Sequence, residues 1–247
     1  MRLLLLGGTT EARRMAMRLT SSNVTVIYSV AGLVRQPSLP CQVISGGFSC
    51  RGGLSSYLKL QAIDVVLDAT HPYANNITQA ASQSCDALKI PYVQFLRAPW
   101  HPGEGDLWYE FPDWSSLQDQ IPVDARVFFS SGQLPNIMRE AIENNKAGQS
   151  QLLRTAVLPQ HRLAKSLRWV KAIGPFTLSD EMQLLRQERI SLVVSKNSGG
   201  EFTRAKLVAA RSLNIPVYML ARPSPIVVGK TFGEVDGCVE FLERMAS

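Results

Sequence analysis

The chain has 247 residues, is 45% hydrophobic and 19% charged, and carries a net charge of +6. This is the makeup of a folded protein of one or two domains, not of a disordered, collagen-like or disulfide-stapled chain. No apolar run reaches the roughly 18 residues of a membrane span, and the run at residues 3–6 is too short for a signal-peptide core, so a cytoplasmic protein with no membrane partner is expected. Cys41, Cys50, Cys85, Cys238 and the three histidines show no metal-ligand spacing, so no metal site is expected either.

The first element is the run Arg2-Leu3-Leu4-Leu5-Leu6, read as a strand. Gly7-Gly8-Thr9-Thr10-Glu11-Ala12-Arg13 then reads as a tight turn into a helix over 10–20. Glycines allow close backbone approach, and the orphan N–H groups of a helix start favour an anion, as at the phosphate turn of an open α/β sheet. The spacing is short of the full Gly-x-Gly-x-x-Gly fingerprint, and Thr9 or Thr10 serves equally as a helix cap. Short runs rich in Val, Ile and Leu at 24–29, 41–45, 63–69 and 91–96 alternate with helical patterns at 53–61 and 74–88. Continuous apolar strands between helices predict a parallel sheet covered on both faces.

From 97 to 114 the alternation breaks into turn formers and aromatics, read as a long ordered loop or an interdomain crossing. It resumes with strands at 126–130, 152–157, 168–173, 191–195 and 216–221, and helices at 135–145, 178–189, 201–213 and 234–246. The prediction is an α/β protein of two Rossmann-like domains with parallel sheets and an interdomain cleft: residues 1–120 for a dinucleotide and 121–247 for the other ligand. Residues 1–125 hold 9 Lys/Arg and 10 Asp/Glu, whereas residues 126–247 hold 17 and 10. That asymmetry suggests an anionic partner for the second half. No nucleic-acid motif accompanies it, so a small polyanion is expected and nucleic acid is not.

In a parallel sheet the chemistry gathers at the carboxyl ends of the strands. After the second strand, Ser29-Val30-Ala31-Gly32 leads to Arg35, and no Asp or Glu occurs between Glu11 and Asp64. An acid there would bind ribose hydroxyls; a hydroxyl and an Arg favour a 2′-phosphate, hence NADPH, with NADH left open. After the third strand come Gly46-Gly47-Phe48. After the fourth come Thr70-His71-Pro72-Tyr73, where His71 and Tyr73 are candidate proton donors and the alternative is a helix cap with a packed aromatic. In the second half, Ser130-Ser131-Gly132-Gln133 and Lys196-Asn197-Ser198-Gly199-Gly200 end two strands. The latter combines a cation, polar side chains and glycines at a helix start, as an anion-binding turn does. No nucleophile elbow, Walker motif or glycosidase pair is present, which suits a reaction whose electrons come from a cofactor.

These segments, in order from Leu3 to about residue 223, resemble the precorrin-6A reductase family of cobalamin biosynthesis. The matching pieces are Leu-Leu-Leu-Gly7-Gly8-Thr-Thr-Glu-Ala-Arg13, Ser29-Val-Ala-Gly32, Gly46-Gly47-Phe48, Asp68-Ala-Thr-His71-Pro-Tyr73-Ala, Gly174-Pro-Phe176-Thr177 and Lys196-Asn-Ser-Gly199-Gly200. The resemblance implies reduction of a macrocycle double bond next to ring D by a nicotinamide hydride, giving precorrin-6B. The substrate is then precorrin-6A or cobalt-precorrin-6A, a planar ring bearing many carboxylates. The expected cofactor residues are Gly7, Gly8, Thr9, Thr10, Arg13, Ser29, Gly32, Arg35 and Thr70. The expected substrate residues are Gly47, Phe48, Arg97, Trp100, Ser131, Lys196, Asn197, Ser198 and Gly199. Arg97, Lys196 and Arg204 would pair carboxylates, while Phe48, Tyr73 and Trp100 would pack on ring faces. Many relatives carry Arg directly after the glycine at 32, where this chain interposes Leu33-Val34. Two other readings stay open. One is a reductase or epimerase of another small substrate, although no Tyr-x-x-x-Lys occurs here. The other is a nucleotide or tetrapyrrole sensor without catalysis.

Overall fold

The computed structural model describes residues 1–32, 38–145, 150–159, 161–226 and 229–247. Its chain forms two compact units. The first comprises Met1–Ala98 with Pro223–Ser247, and the second comprises Pro99–Arg222. The first unit contains β1 (Arg2–Leu6), α1 (Thr10–Leu19), β2 (Thr25–Val30), β3 (Gln42–Ser45), α2 (Leu54–Leu60), β4 (Val65–Asp68), α3 (Asn75–Leu88) and β5 (Tyr92–Phe95). The second contains β6 (Trp108–Phe111), α4 (Trp114–Gln118), β7 (Val127–Ser130), α5 (Asn136–Asn144), β8 (Gln151–Thr155), β9 (Leu167–Lys171), α6 (Leu178–Gln187), β10 (Leu192–Lys196), α7 (Ala205–Ser212) and β11 (Val217–Leu220). The chain then returns to the first unit as β12 (Lys230–Phe232) and α8 (Val235–Ala246).

Among the described residues every strand pairing is parallel. The first sheet runs β3-β2-β1-β4-β5-β12 and the second runs β9-β8-β7-β10-β11-β6. Both have the doubly wound order 3-2-1-4-5-6, with a switch point between the first and fourth positions. The sixth positions are exchanged. After β5 the chain gives its next strand, β6, to the second sheet; after β11 it gives β12 to the first. The accompanying helices follow the strands, α4 against α5 and α8 against α1.

The uninterrupted apolar strands are explained by two-sided cover. Leu3 and Leu5 pack with Met15, Val239 and Leu242 beneath α1 and α8. Leu4 and Leu6 face Leu58, Ala81 and Cys85 beneath α2 and α3. In the second sheet Phe128 and Val193 lie on the α6–α7 side, and Phe129 and Val194 on the α4–α5 side. Successive side chains alternate faces, so a strand covered on both sides reads as a solid apolar run. Among the described residues no helix is long and apolar enough to cross a membrane.

Two sequence expectations change. The boundary expected near 120 is replaced by crossings at 98–99 and 222–223, because β6 pairs with β11 and β12 with β5. The charge asymmetry disappears with it. The first unit holds 11 Lys/Arg and 8 Asp/Glu, the second 15 and 12, a net of +3 each. The acidic stretch from Glu104 to Asp124 folds into the second unit and offsets its basic residues.

Within α8, Val235, Cys238, Val239 and Leu242 are buried against the first unit. Burying side chains of this kind contributes roughly 1.5–3 kcal/mol each, so together they rival the net stability of a typical domain. A chain ending at Arg222 is therefore expected to lose the cooperative unfolding transition of the first unit, read by calorimetry, while residues 223–247 supplied as a separate peptide restore it. An unchanged transition in the shortened chain would contradict this account of the fold.

Candidate functional site

In the first unit the switch point lies between the ends of β1 and β4. Gly7 donates its N–H to Ser29 O at 2.8 Å and passes against the Tyr28 ring; a Cβ at Gly7 would sit 2.3 Å from Tyr28 Cζ. Gly8 has φ 107°, a region that disfavours side chains, and its N–H donates to Tyr28 Oη at 3.0 Å. A Cβ at Gly8 would meet nothing within 4 Å, so the turn is open on the Gly8 side. Thr9 is the N-cap of α1. Its Oγ1 accepts from Ala12 N–H at 3.1 Å and donates to Ala69 O at 2.9 Å, tying the β1 turn to the β4 end. The Thr9 side chain, expected to hold the cofactor, therefore performs a structural task and is buried. Thr10 and the exposed Arg13 lie on the first turn of α1, joined at 3.4 Å. Burial raises the Tyr28 phenol pKa, against an opposing pull from the Gly8 bond and Arg13. Tyr28 was missed from sequence because it sits in an apolar strand with nothing to mark the destination of its hydroxyl.

Arg97 follows β5 and forms a 2.7 Å ion pair with Glu11 in the first turn of α1. It was expected at substrate carboxylates; the structure instead places it against the helix that follows the glycine turn. Ser29 is buried at the end of β2, with Gly32 exposed beyond it. Arg35 lies outside the described residues. Gly47 precedes the short 3-10 turn Phe48–Arg51. Phe48 was expected on a ring face, but it is buried in the core with its centroid 5.2 Å from that of Tyr57. Its place is a correction: an aromatic beside a glycine pair filled the space under α2.

The β4 end is built on buried Asp68. Its Oδ1 accepts from Thr70 N–H at 3.0 Å and Thr70 Oγ1 at 2.7 Å; its Oδ2 accepts from Thr78 Oγ1 at 2.7 Å and Tyr92 Oη at 2.9 Å. The Tyr92 phenol pKa is raised by its burial and by this carboxylate. Thr70, expected to bind cofactor, gives its hydroxyl to Asp68. The network fixes the start of the loop carrying His71 and Tyr73, both half-buried, with ring centroids 5.6 Å apart. His71 Nδ1 accepts from Tyr73 N–H at 3.3 Å, which assigns the proton of a neutral ring to Nε2.

In the second unit the switch point lies between the ends of β7 and β10, where Ser130 pairs with Ser195. Ser131 is buried, and its hydroxyl has no hydrogen-bond partner. Gly132 follows at φ 79° with open space where a Cβ would lie. Across the switch point are half-buried Lys196, whose pKa is lowered by burial, then Asn197, Ser198 and Gly199, the last at φ 69°. Asn197 Oδ1 accepts from Trp100 N–H at 2.8 Å, and its Nδ2 donates to Trp100 O at 3.0 Å. Asn197 thus clamps the incoming chain, and its own backbone carbonyl accepts from Arg222 Nε at 2.7 Å. Trp100 was expected to stack on substrate; it is buried among Phe128, Leu207 and Met219 instead. Ser198 Oγ lies 3.4 Å from Thr203 Oγ1. Exposed Arg204 precedes α7. A separate cavity, lined by Ile121, Val123, Val127, Met138 and Ile142, shares no residue with these loops.

Beneath the second-unit loops lies a charged cluster that sequence spacing did not reveal. Arg154 Nη1 and Nη2 donate to Glu181 Oε2 and Oε1 at 3.1 and 2.7 Å, and the guanidinium lies 3.8 Å from the Phe176 ring centroid. Arg154 is at the end of β8 and Glu181 in the first turn of α6.

Asp68→Asn replaces an oxygen with an NH₂ group among donors, leaving at least one donor facing another. Hydrogen bonds to charged groups contribute roughly 1.5–3 kcal/mol each, so a loss of that order in unfolding free energy is expected, measured by denaturant titration. A loss well below 1 kcal/mol would show that the network does not hold the loop.

Comparison with known proteins agrees with this architecture. Residues 2–243 match the family model "Precorrin-6x reductase CbiJ/CobK". The "Precorrin-6A reductase" of Rhodococcus erythropolis is 35% identical over 98% of this chain and 97% of its own. That of Mycobacterium tuberculosis is 39% identical over 90% and 89%. More distant is the "Cobalt-precorrin-6A reductase" of Synechocystis, 27% identical over 97% and 95%. A solved structure, "CobK precorrin-6A reductase", superposes with a TM-score of 0.86 at 35% identity, covering 98% of this chain and 96% of that one. A full-length family match and a shared two-sheet fold place the chain in the precorrin-6x reductase CbiJ/CobK family.

Proposed function

We propose that this protein reduces one carbon–carbon double bond of metal-free precorrin-6A with NADPH, giving precorrin-6B in cobalamin biosynthesis. The observation that carries the reading is the family match over residues 2–243. The metal-free substrate is favoured because relatives named for precorrin-6A are 35–39% identical, whereas the Synechocystis relative named for the cobalt form is 27% identical.

The first unit fits a dinucleotide. Its Gly7-Gly8 turn, held by Tyr28 and open beside Gly8, lies at a switch point ahead of a ten-residue helix, with Arg13 exposed on that helix's first turn. The Arg97 pair neutralises Glu11, which would otherwise repel phosphate at this helix start. Ser29 at the end of β2 and Gly32 beyond it lie on the adenosine side, and the sequence holds no Asp or Glu between Glu11 and Asp64 to compete with a 2′-phosphate, for which Arg35 is the candidate cation. When bound, NADPH supplies a hydride to one carbon of the double bond and leaves as NADP⁺. The neighbouring carbon takes a proton, which we assign to the imidazolium form of His71; its loss leaves the neutral ring whose Nδ1 accepts from Tyr73 N–H, and solvent reprotonates it. In the second unit Ser131, Lys196, Ser198 and Gly199 receive carboxylates, the orphan Ser131 hydroxyl supplying a buried donor. Alignment of bound reactants supplies roughly 7–11 kcal/mol of barrier reduction, so holding the macrocycle still is the protein's main task.

Purified protein mixed with NADPH and precorrin-6A is expected to consume the reduced nicotinamide in step with macrocycle reduction, followed by absorbance and mass spectrometry. Binding of both ligands without consumption would leave a sensor; reduction of the cobalt form alone would reassign the substrate. His71→Ala is expected to lower kcat by about 100-fold, the low end for a general acid. Wild-type turnover in that variant would give the proton's source to solvent.

Cofactor choice is tested separately. Arg35→Ala is expected to raise KM for NADPH by about tenfold, equivalent to about 1.4 kcal/mol, and to leave KM for NADH unchanged. Equal effects on both cofactors would remove Arg35 from the 2′-phosphate.

A further inference from the structure

Lys206 lies in the first turn of α7, shortly after the Lys196–Gly200 turn, and is only 3% exposed. Its Nζ donates to Thr203 O at 3.1 Å and sits 5.1 Å from the Trp100 ring centroid. Among the described residues it forms no ion pair. The charged groups facing it are Arg154 from β8 and Glu181 from α6. Glu181 is already gripped by both terminal nitrogens of Arg154, so two buried cations share one carboxylate. Around Trp100 lie also His101, Asp106, Arg204 and Arg211. A buried ammonium in such company is costly.

What Lys206 touches is the support of the proposed substrate turn. Thr203 meets Ser198 hydroxyl to hydroxyl, and Trp100 is clamped by the Asn197 side chain. Ammonium, Thr203, Trp100, Asn197 and Ser198 are thus one connected set. We infer that Lys206 is a proton-controlled positioning residue: its charged form draws Thr203 and the Trp100 ring together and holds residues 197–200 ready for substrate carboxylates, and loss of its proton loosens that turn. The inference rests on the reading of this turn as the macrocycle site. Burial, then the charge of Arg154, push the Lys206 pKa down to about 7, with Glu181 pulling the other way. The change therefore falls near neutrality, where substrate carboxylates, with ordinary pKa values of about 4, stay ionised throughout.

Steady-state kinetics of wild type, Lys206→Met and Lys206→Arg across about pH 6 to 8.5 test this, with macrocycle and NADPH varied in turn. In wild type KM for the macrocycle is expected to rise about fivefold with pH, while KM for NADPH changes less than about twofold. Lys206→Met is expected to stay at the high value and Lys206→Arg at the low one. A wild-type profile that Lys206→Met reproduces, or a pH effect confined to kcat, overturns the inference. A His101→Asn control assigns any remaining dependence to that neighbour. Unfolding supplies an arm that needs no substrate. A lysine depressed in the folded state holds fewer protons than in the unfolded chain between about pH 7 and 10.4, so its burial penalty is full below that window and stability rises across it. Melting temperature should show this rise in wild type and a smaller one in Lys206→Met, the remainder belonging to Lys196, whose pKa is also lowered; an undiminished rise in the variant overturns the inference. Absence of any turnover by wild type would sink the substrate assignment instead, and the melting arm would still decide the case of Lys206.

Discussion

A parallel strand covered by helices on both faces leaves only its ends for chemistry, and that constraint shapes the whole molecule. Among the described residues the central strands of both sheets are buried, and the sixth position of each sheet is filled by an exchanged strand. Turns bearing Gly7-Gly8, Thr70-His71, Ser131-Gly132 and Lys196-Gly199 are therefore all carboxyl-end turns, gathered at the switch points of two sheets with the same order. The side chains that hold these turns are mostly buried and bonded: Thr9, Asp68, Tyr28 and Asn197 fix the backbone and leave backbone groups and a few cations to meet ligands.

Charge works locally here. With +3 on each unit, neither carries an excess that would by itself draw a polyanion. Selectivity for a carboxylate-rich ring then depends on where single cations are placed. Burial makes such placements effective, because a desolvated charge acts through a weaker dielectric screen. Lys196 and Lys206 both have pKa values lowered by burial, and both lie along the same β10–α7 connection. The Arg154–Glu181 pair beneath them ties β8 to α6 and limits how the cluster can relax.

Most of the fold was legible because apolar runs and helical periodicity are local signals. Strands expected at 2–6, 24–29 and 191–195 are found at Arg2–Leu6, Thr25–Val30 and Leu192–Lys196. β6 and β12 were not legible. Trp108–Phe111 lies in a stretch of turn formers and Lys230–Phe232 is three residues long, and both are edge strands with half-exposed patterns. The site was legible as turns and poorly legible as side chains. Phe48 and Trp100 are large aromatics beside glycine or proline, a context that fits a ligand face and a core equally well; the volume under the nearest helix decided for the core.

By itself the sequence determined the α/β class, the alternation of elements, the glycine turns with their caps, and the family, because each of these is written in short contiguous segments. Only the tertiary structure decided which sheet received β6 and β12, where the charge resided, and which polar side chains were committed to partners far away in the chain. Strand pairing across more than a hundred residues, and a helix lysine buried beside an arginine from a strand, depend on packing between elements that no local pattern encodes.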